Sequence, residues 1–168
     1  MECKELLVSW LKNAYAMEKG MVETIKEHIE DAKDDPDMES AISKMEEHVD
    51  ESEMQAERVK SAIEKLGSDI SSVKTNLTTA QQKATSASLD MFKDHGVKNI
   101  IIDHASEHFE MATYMAISKA AKMCNQEEIA QMAEEIMKKE SQTAEKLKNE
   151  IEKAVESYFE KNIDTMEG

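Results

Sequence analysis

An all-α chain folded as a four-helix bundle with an additional short crossover helix is the architecture this sequence predicts. Three observations lead there. Glycine and proline number only 4 and 1 in 168 residues, while 34% of residues are charged and 40% hydrophobic, so little interrupts long helices. Apolar residues recur every three or four positions through four long stretches. Two tight links and one long connection separate those stretches.

The first helix is expected over residues 3–32, with an inward seam of Leu7, Leu11, Ala14, Glu18, Met21, Ile25 and Ile29. Asp34-Asp35-Pro36-Asp37 reads as a short turn, its proline just inside the next helix start. The second helix spans 37–66 on Met45, Val49, Ser52, Ala56, Val59 and Ile63, and stops at Gly67, a favourable left-handed cap. So tight a link makes these two helices antiparallel neighbours.

Residues 68–96 are rich in Ser, Thr, Gln and Ala. They keep apolar spacing at Ile70, Val73, Leu77, Ala80, Ala84 and Ala87, which predicts a slim crossover helix ended by Asp94-His95-Gly96. A third main helix is expected over 97–123. After Asn125 a fourth follows over 126–161, on Ile129, Met132, Ile136, Glu140, Thr143, Leu147, Ala154 and Tyr158. Residues 1–161 thus form one bundle domain and 162–168 a frayed tail. The long crossover lets the second and third helices run parallel, as in ferritin-like bundles.

Composition excludes several function classes. A net charge of −15 disfavours nucleic acid and anionic membrane surfaces, both of which call for a basic face. No apolar run reaches the length of a membrane span, and Met1-Glu2-Cys3-Lys4-Glu5 is not a secretory leader. Cys3 and Cys124 lie far apart without a CxxC, which reads as two free thiols in a reducing cytoplasm. The 13 Met residues serve as core filler in a chain with 4% aromatics.

Three seams are interrupted at mid-helix, by Glu18, Ser52 and Glu140. A carboxylate in a bundle core is costly unless paired, protonated or bound to a metal. Bundles that place inward Glu residues at mid-height include the carboxylate di-metal proteins. The third helix adds a stripe of Ile100, Asp103, Glu107, Glu110, Tyr114, Ile117 and Ala121. A second stripe, Ile101, Ala105, His108, Ala112 and Met115, is apolar apart from His108. Periodicity alone does not say which faces the centre. Two apolar stripes on one helix suggest a central helix or a homodimer seam. The plain alternative for the inward acids is a hydrogen-bonded polar layer, with Ser52, Gln55, Tyr15 or Tyr114 as partners, that fixes helix register without binding anything.

Leu11-Lys12-Asn13-Ala14-Tyr15-Ala16-Met17-Glu18 resembles the first-helix ligand segment of rubrerythrins, in the ferritin-like superfamily. Ala105-Ser106-Glu107-His108-Phe109-Glu110 resembles their third-helix segment, and Glu127 through Glu140 and Thr143 their fourth. Over residues 6–160 the overall likeness is to YciE/YciF-type bacterial stress proteins, which the Gln55-Ala56-Glu57-Arg58-Val59 stretch and the crossover also fit. The resemblance implies metal ligands at Glu18, Glu107, Glu110 and Glu140, for iron or manganese, and a homodimer. Where rubrerythrins carry a Glu and two His, this chain has Ser52, Gln55 and Thr143. The implied site is therefore oxygen-rich and partly degenerate, with at most weak ferroxidase- or peroxidase-like activity. His104, His108, Asp50, Glu51 and Glu53 lie nearby in sequence as substitutes. The alternative function is a non-catalytic structural or interaction module on the same fold.

Overall fold

The computed structural model describes residues 2–73 and 94–163. Four long helices make up the fold: α1 (Cys3–Ala32), α2 (Glu39–Lys65), α3 (His95–Met123) and α4 (Glu127–Ile163). A 3-10 turn over Pro36–Met38 leads into α2, and no strand occurs among the described residues. The turn is held by Asp35, whose side chain accepts from the Asp37 N–H at 3.1 Å. Gly67, at φ +77°, closes α2 in the left-handed region that glycine enters freely. Asn125 takes the same role between α3 and α4 at φ 56°.

Two apolar clusters reveal the chain directions. One joins the start of α1 (Leu7, Leu11) to the end of α2 (Val59, Ile63), the end of α3 (Ile117, Ala121) and the start of α4 (Ile129, Ile136). The other joins the end of α1 (Ile25, Ala32) to the start of α2 (Ala41, Met45), the start of α3 (Val97, Ile100) and the end of α4 (Leu147, Ala154). Hence α1 and α2 are antiparallel, α3 and α4 are antiparallel, and α2 and α3 run parallel. The connection between α2 and α3 must travel the length of the bundle. Close backbone contacts run α1–α2, α1–α3, α3–α4 and α2–α4, which places α2 diagonally opposite α3.

The structure departs from the expected elements in three places. Residues 68–73, the beginning of the expected crossover helix, are turn and coil; residues 74–93, its remainder, lie outside the described residues. Asp94 does not end a helix but begins one, its side chain accepting from the Val97 N–H at 2.6 Å as the cap of α3. His95 and Gly96 therefore form the first turn of α3. At the other end α4 continues to Ile163, so residues 162 and 163 are helical; 164–168 are not among the described residues.

The expectation of two free thiols is also overturned. Cys3 and Cys124 are joined by a disulfide, with Cα atoms 5.6 Å apart and a sequence separation of 121. The parallel course of α2 and α3 brings the start of α1 and the α3–α4 link to the same end of the bundle. Two cysteines remote in sequence thus become neighbours. No described helix is long and apolar enough to cross a membrane.

Candidate metal centre

Between the two apolar clusters lies a polar layer to which every helix contributes. α1 provides Glu18, α2 provides His48, Ser52 and Gln55, α3 provides Asp103, Glu107, Glu110 and Tyr114, and α4 provides Glu140 and Thr143. All are buried; Glu18, Ser52, Asp103, Glu107, Glu110 and Tyr114 are wholly inaccessible. The helical period explains the placement. Glu18 and Glu140 occupy seam positions between apolar residues, and Asp103, Glu107, Glu110 and Tyr114 share one stripe of α3.

His48, Glu107, Glu110 and Glu140 each offer one ligand-capable atom, and these atoms all lie within 4.8 Å of one another. His48 Nδ1 is 3.0 Å from Glu107 Oε1, and its Nε2 is 3.9 Å from Glu110 Oε2. Neither approach has hydrogen-bond alignment, so His48 Nε2 and both oxygens of Glu107 and Glu110 have no partner. Glu18 sits beside this group. Its Oε1 accepts from the Tyr114 hydroxyl, its Oε2 has no partner, and it feels the charge of Glu140.

Every fully buried side-chain N or O atom without a hydrogen-bond partner among the described residues belongs to this layer. Elsewhere among the described residues the buried side-chain polar atoms are satisfied, as folded proteins require. Here carboxylates face carboxylates with no lysine or arginine between them. Two deprotonated carboxylates cannot donate to each other, so the layer calls for protons or a cation.

The acidities show the same conflict. Burial holds Glu18, Glu107 and Glu110 well above the usual carboxylate range. Proximity to Glu140 pushes all three further in that direction, against the Tyr114 bond that favours ionised Glu18. Tyr114 is likewise raised, by burial first and then by Glu18. His48 is lowered by burial despite the neighbouring Glu140, which leaves a neutral imidazole with a lone pair.

Of the four carboxylates implied by the rubrerythrin resemblance, Glu107, Glu110 and Glu140 fall within one ion's reach, and Glu18 flanks them in the same layer. Ser52 and Gln55 are buried there too, each with an oxygen lacking a partner. Thr143 is buried but turned aside, its hydroxyl donating to Glu51 Oε2 at 3.0 Å. His104 and His108 do not join the layer: His104 Nδ1 lies 3.0 Å from the Ala144 carbonyl, and His108 is exposed. Asp50 and Glu53 are exposed and Glu51 half-buried.

His48 joins the group although the sequence reading did not single it out. It precedes Ser52 by four residues, one turn along the same face, and from there its side chain reaches the layer. The seam read through Met45, Val49 and Ser52 passed beside it. Also unassigned from sequence was the buried pair of His28 Nδ1 and Asp103 Oδ1, 2.7 Å apart, which extends the layer toward the second apolar cluster.

Solved structures of similar fold match over most of the chain. The chain is similar in structure to protein XCC3681 from Xanthomonas campestris, with 29% identity over 96% of this chain and 98% of that one, and a TM-score of 0.78. It shares its fold with the E. coli stress protein YciF, with 17% identity over 93% and 98% and a TM-score of 0.78. YcfI from Rhodopseudomonas palustris has the same fold, with 21% identity over 88% and 94% and a TM-score of 0.74. No curated protein matches the chain. Residues 2–160 match the model of the family described as a domain of unknown function, DUF892, and the chain belongs to that family.

Proposed function

We propose that this protein is a ferritin-like metal-binding bundle whose polar layer holds iron, manganese or another divalent ion in a stress response. The observation that carries the reading is that, among the described residues, the unpartnered buried side-chain polar atoms are confined to one layer dominated by carboxylates and an imidazole. His48, Glu107, Glu110 and Glu140 would hold the ion, with Glu18 beside them for a second position. A bound ion would supply Lewis acidity and, if redox-active, electron transfer toward oxygen or peroxide.

The chain's own residues define the rest. Tyr114 donates to Glu18 and fixes which of its oxygens faces the neighbouring acids. The apolar clusters above and below exclude water and sharpen every charge interaction in the layer. With carboxylates outnumbering imidazole, the donor set favours hard ions more than a histidine-rich site would. Any ferroxidase- or peroxidase-like activity of such a site would be weak.

A second reading has its own support. Protonated Glu107 or Glu110 could donate to Glu140 and make the layer a register-fixing hydrogen-bond network in a structural or interaction module. Elemental analysis of the purified protein, with wild type beside Glu140→Gln, separates the two. The metal reading expects bound ion in wild type and its loss in the variant. Metal-free wild type that also stays metal-free after loading with iron or manganese would sink it.

A homodimer is supported by the large apolar side chains left exposed on α3, Phe109 at 46% and Met115 at 61%. A cytoplasmic location is part of the same reading; there the Cys3–Cys124 pair would be reduced under ordinary conditions and bridged during oxidation. Sedimentation of a stable monomer at micromolar concentration would remove the dimer.

A further inference from the structure

We propose that His104 and His108 form a second, separate metal site: an exposed two-imidazole chelate on α3 for a borderline transition ion such as zinc, nickel or copper(II). The two residues are one helical turn apart and so share a face. Their ring centroids are 5.0 Å apart with the planes at 85°. α3 is a continuous helix through both positions, which fixes the spacing before any ion arrives.

The half-buried ring of His104 is already oriented. Its Nδ1 lies 3.0 Å from the Ala144 carbonyl oxygen. A carbonyl can only accept, so Nδ1 carries the proton and donates, and the neutral ring keeps its lone pair on Nε2. Histidine ligands of metals characteristically use their second nitrogen in this way, to hold tautomer and orientation. His108 is exposed and free to turn either nitrogen toward the same ion. Two neutral nitrogens with water completing the shell select zinc, nickel or copper over magnesium, calcium or manganese. The protein's net charge of −15 draws cations to the surface generally.

This pair is distinct from the buried centre. Glu107, between the two histidines in sequence, is fully buried and directed to His48. Among the four residues grouped at the buried centre, His48 is the single imidazole, so coordination by two imidazoles distinguishes the outer site from the inner one.

The test uses untagged protein titrated with copper(II), read by electron paramagnetic resonance, and with zinc, read by calorimetry. Wild type and His48→Gln should both show a copper species with two imidazole nitrogens. His108→Ala should lose one nitrogen from that signature and bind zinc about 100-fold more weakly, because the chelate's effective concentration is gone. His95→Gln, at the far end of α3, should change neither readout. The proposal is overturned if wild type lacks the two-nitrogen signature, if His108→Ala binds as wild type does, or if His48→Gln or His95→Gln abolishes the signature.

Discussion

His48 reaches from α2 across the bundle to the diagonally opposite helix, its Nδ1 3.0 Å from Glu107 Oε1 on α3. No hydrogen-bond geometry accompanies that approach, and His48 Nε2 is left without a partner. A neutral imidazole wedged among acids is placed as a ligand would be. Replacing His48 by Gln keeps the volume and removes the nitrogen donor. Metal affinity measured by competition with a chelator is expected to fall by at least about 10- to 100-fold, the loss typical of removing even an outer-shell partner of a ligand. Circular dichroism should show the helices intact. Unchanged affinity would remove His48 from the site.

Glu18 and Glu140 supply the second prediction. In the metal-free protein, burial and then the neighbouring Glu140 make an ionised Glu18 costly. Glu18→Gln with Glu140→Gln is expected to abolish metal retention while raising the melting temperature of the metal-free form. Relieving buried carboxylates often stabilises by about 1–4 kcal/mol, which corresponds to a few degrees or more in a chain of this size. Metal content matching wild type would contradict the site. A drop in metal-free stability would show the acids to be structural partners.

How much of this was legible beforehand follows from what periodicity reports. Seams of α1 and α4 place Glu18 and Glu140 inward without ambiguity, because apolar residues bracket them on one stripe. α3 shows two candidate inward stripes, and the structure buries the one carrying Asp103, Glu107 and Glu110 while leaving Ala105, His108 and Met115 of the more apolar one exposed. His48 escaped because it shares a turn with Val49, and a seam drawn through apolar residues follows the valine. The Cys3–Cys124 bridge depends on which helix ends meet, which no local pattern encodes. The parallel course of α2 and α3 was legible from link lengths alone.

The acidities make stability depend on pH in a defined sense. Glu18, Glu107 and Glu110 hold their protons above the ordinary value of 4.5 in the folded state. The folded protein therefore binds more protons than the unfolded one above that value. Their contribution is fully present below pH 4.5 and is lost as pH rises through the folded-state values. His48, lowered from 6.5, acts oppositely: its contribution is present above 6.5 and lost as pH falls through its folded value. Metal-free protein should thus lose stability from mildly acidic toward alkaline pH. Loaded protein should resist that loss, because the ion replaces the protons. Chemical denaturation at several pH values with and without manganese checks this; parallel pH curves would argue against an ion at these acids.

The disulfide offers the last test, independent of any metal. Cys3 begins α1 and Cys124 closes α3, so the bridge ties the first turn of the fold to the link that turns α3 into α4. Its loop spans a separation of 121 residues. Closing a loop of that length removes unfolded-chain entropy corresponding to about 5 kcal/mol, an upper figure because native strain and residual denatured structure subtract from it. Fraying at the start of α1 is the expected result of breaking it, since Leu6 and Trp10 are partly exposed and that turn is anchored in the core by Leu7 and Leu11 with half-buried Val8. Cys3→Ser should lower the melting temperature by about 10 °C or more. It should also speed amide hydrogen exchange near residues 3–10 while leaving the polar layer protected. Treating wild type with dithiothreitol should reproduce the variant. Identical melting of oxidised, reduced and Cys3→Ser protein would mean that the bridge does not form in solution.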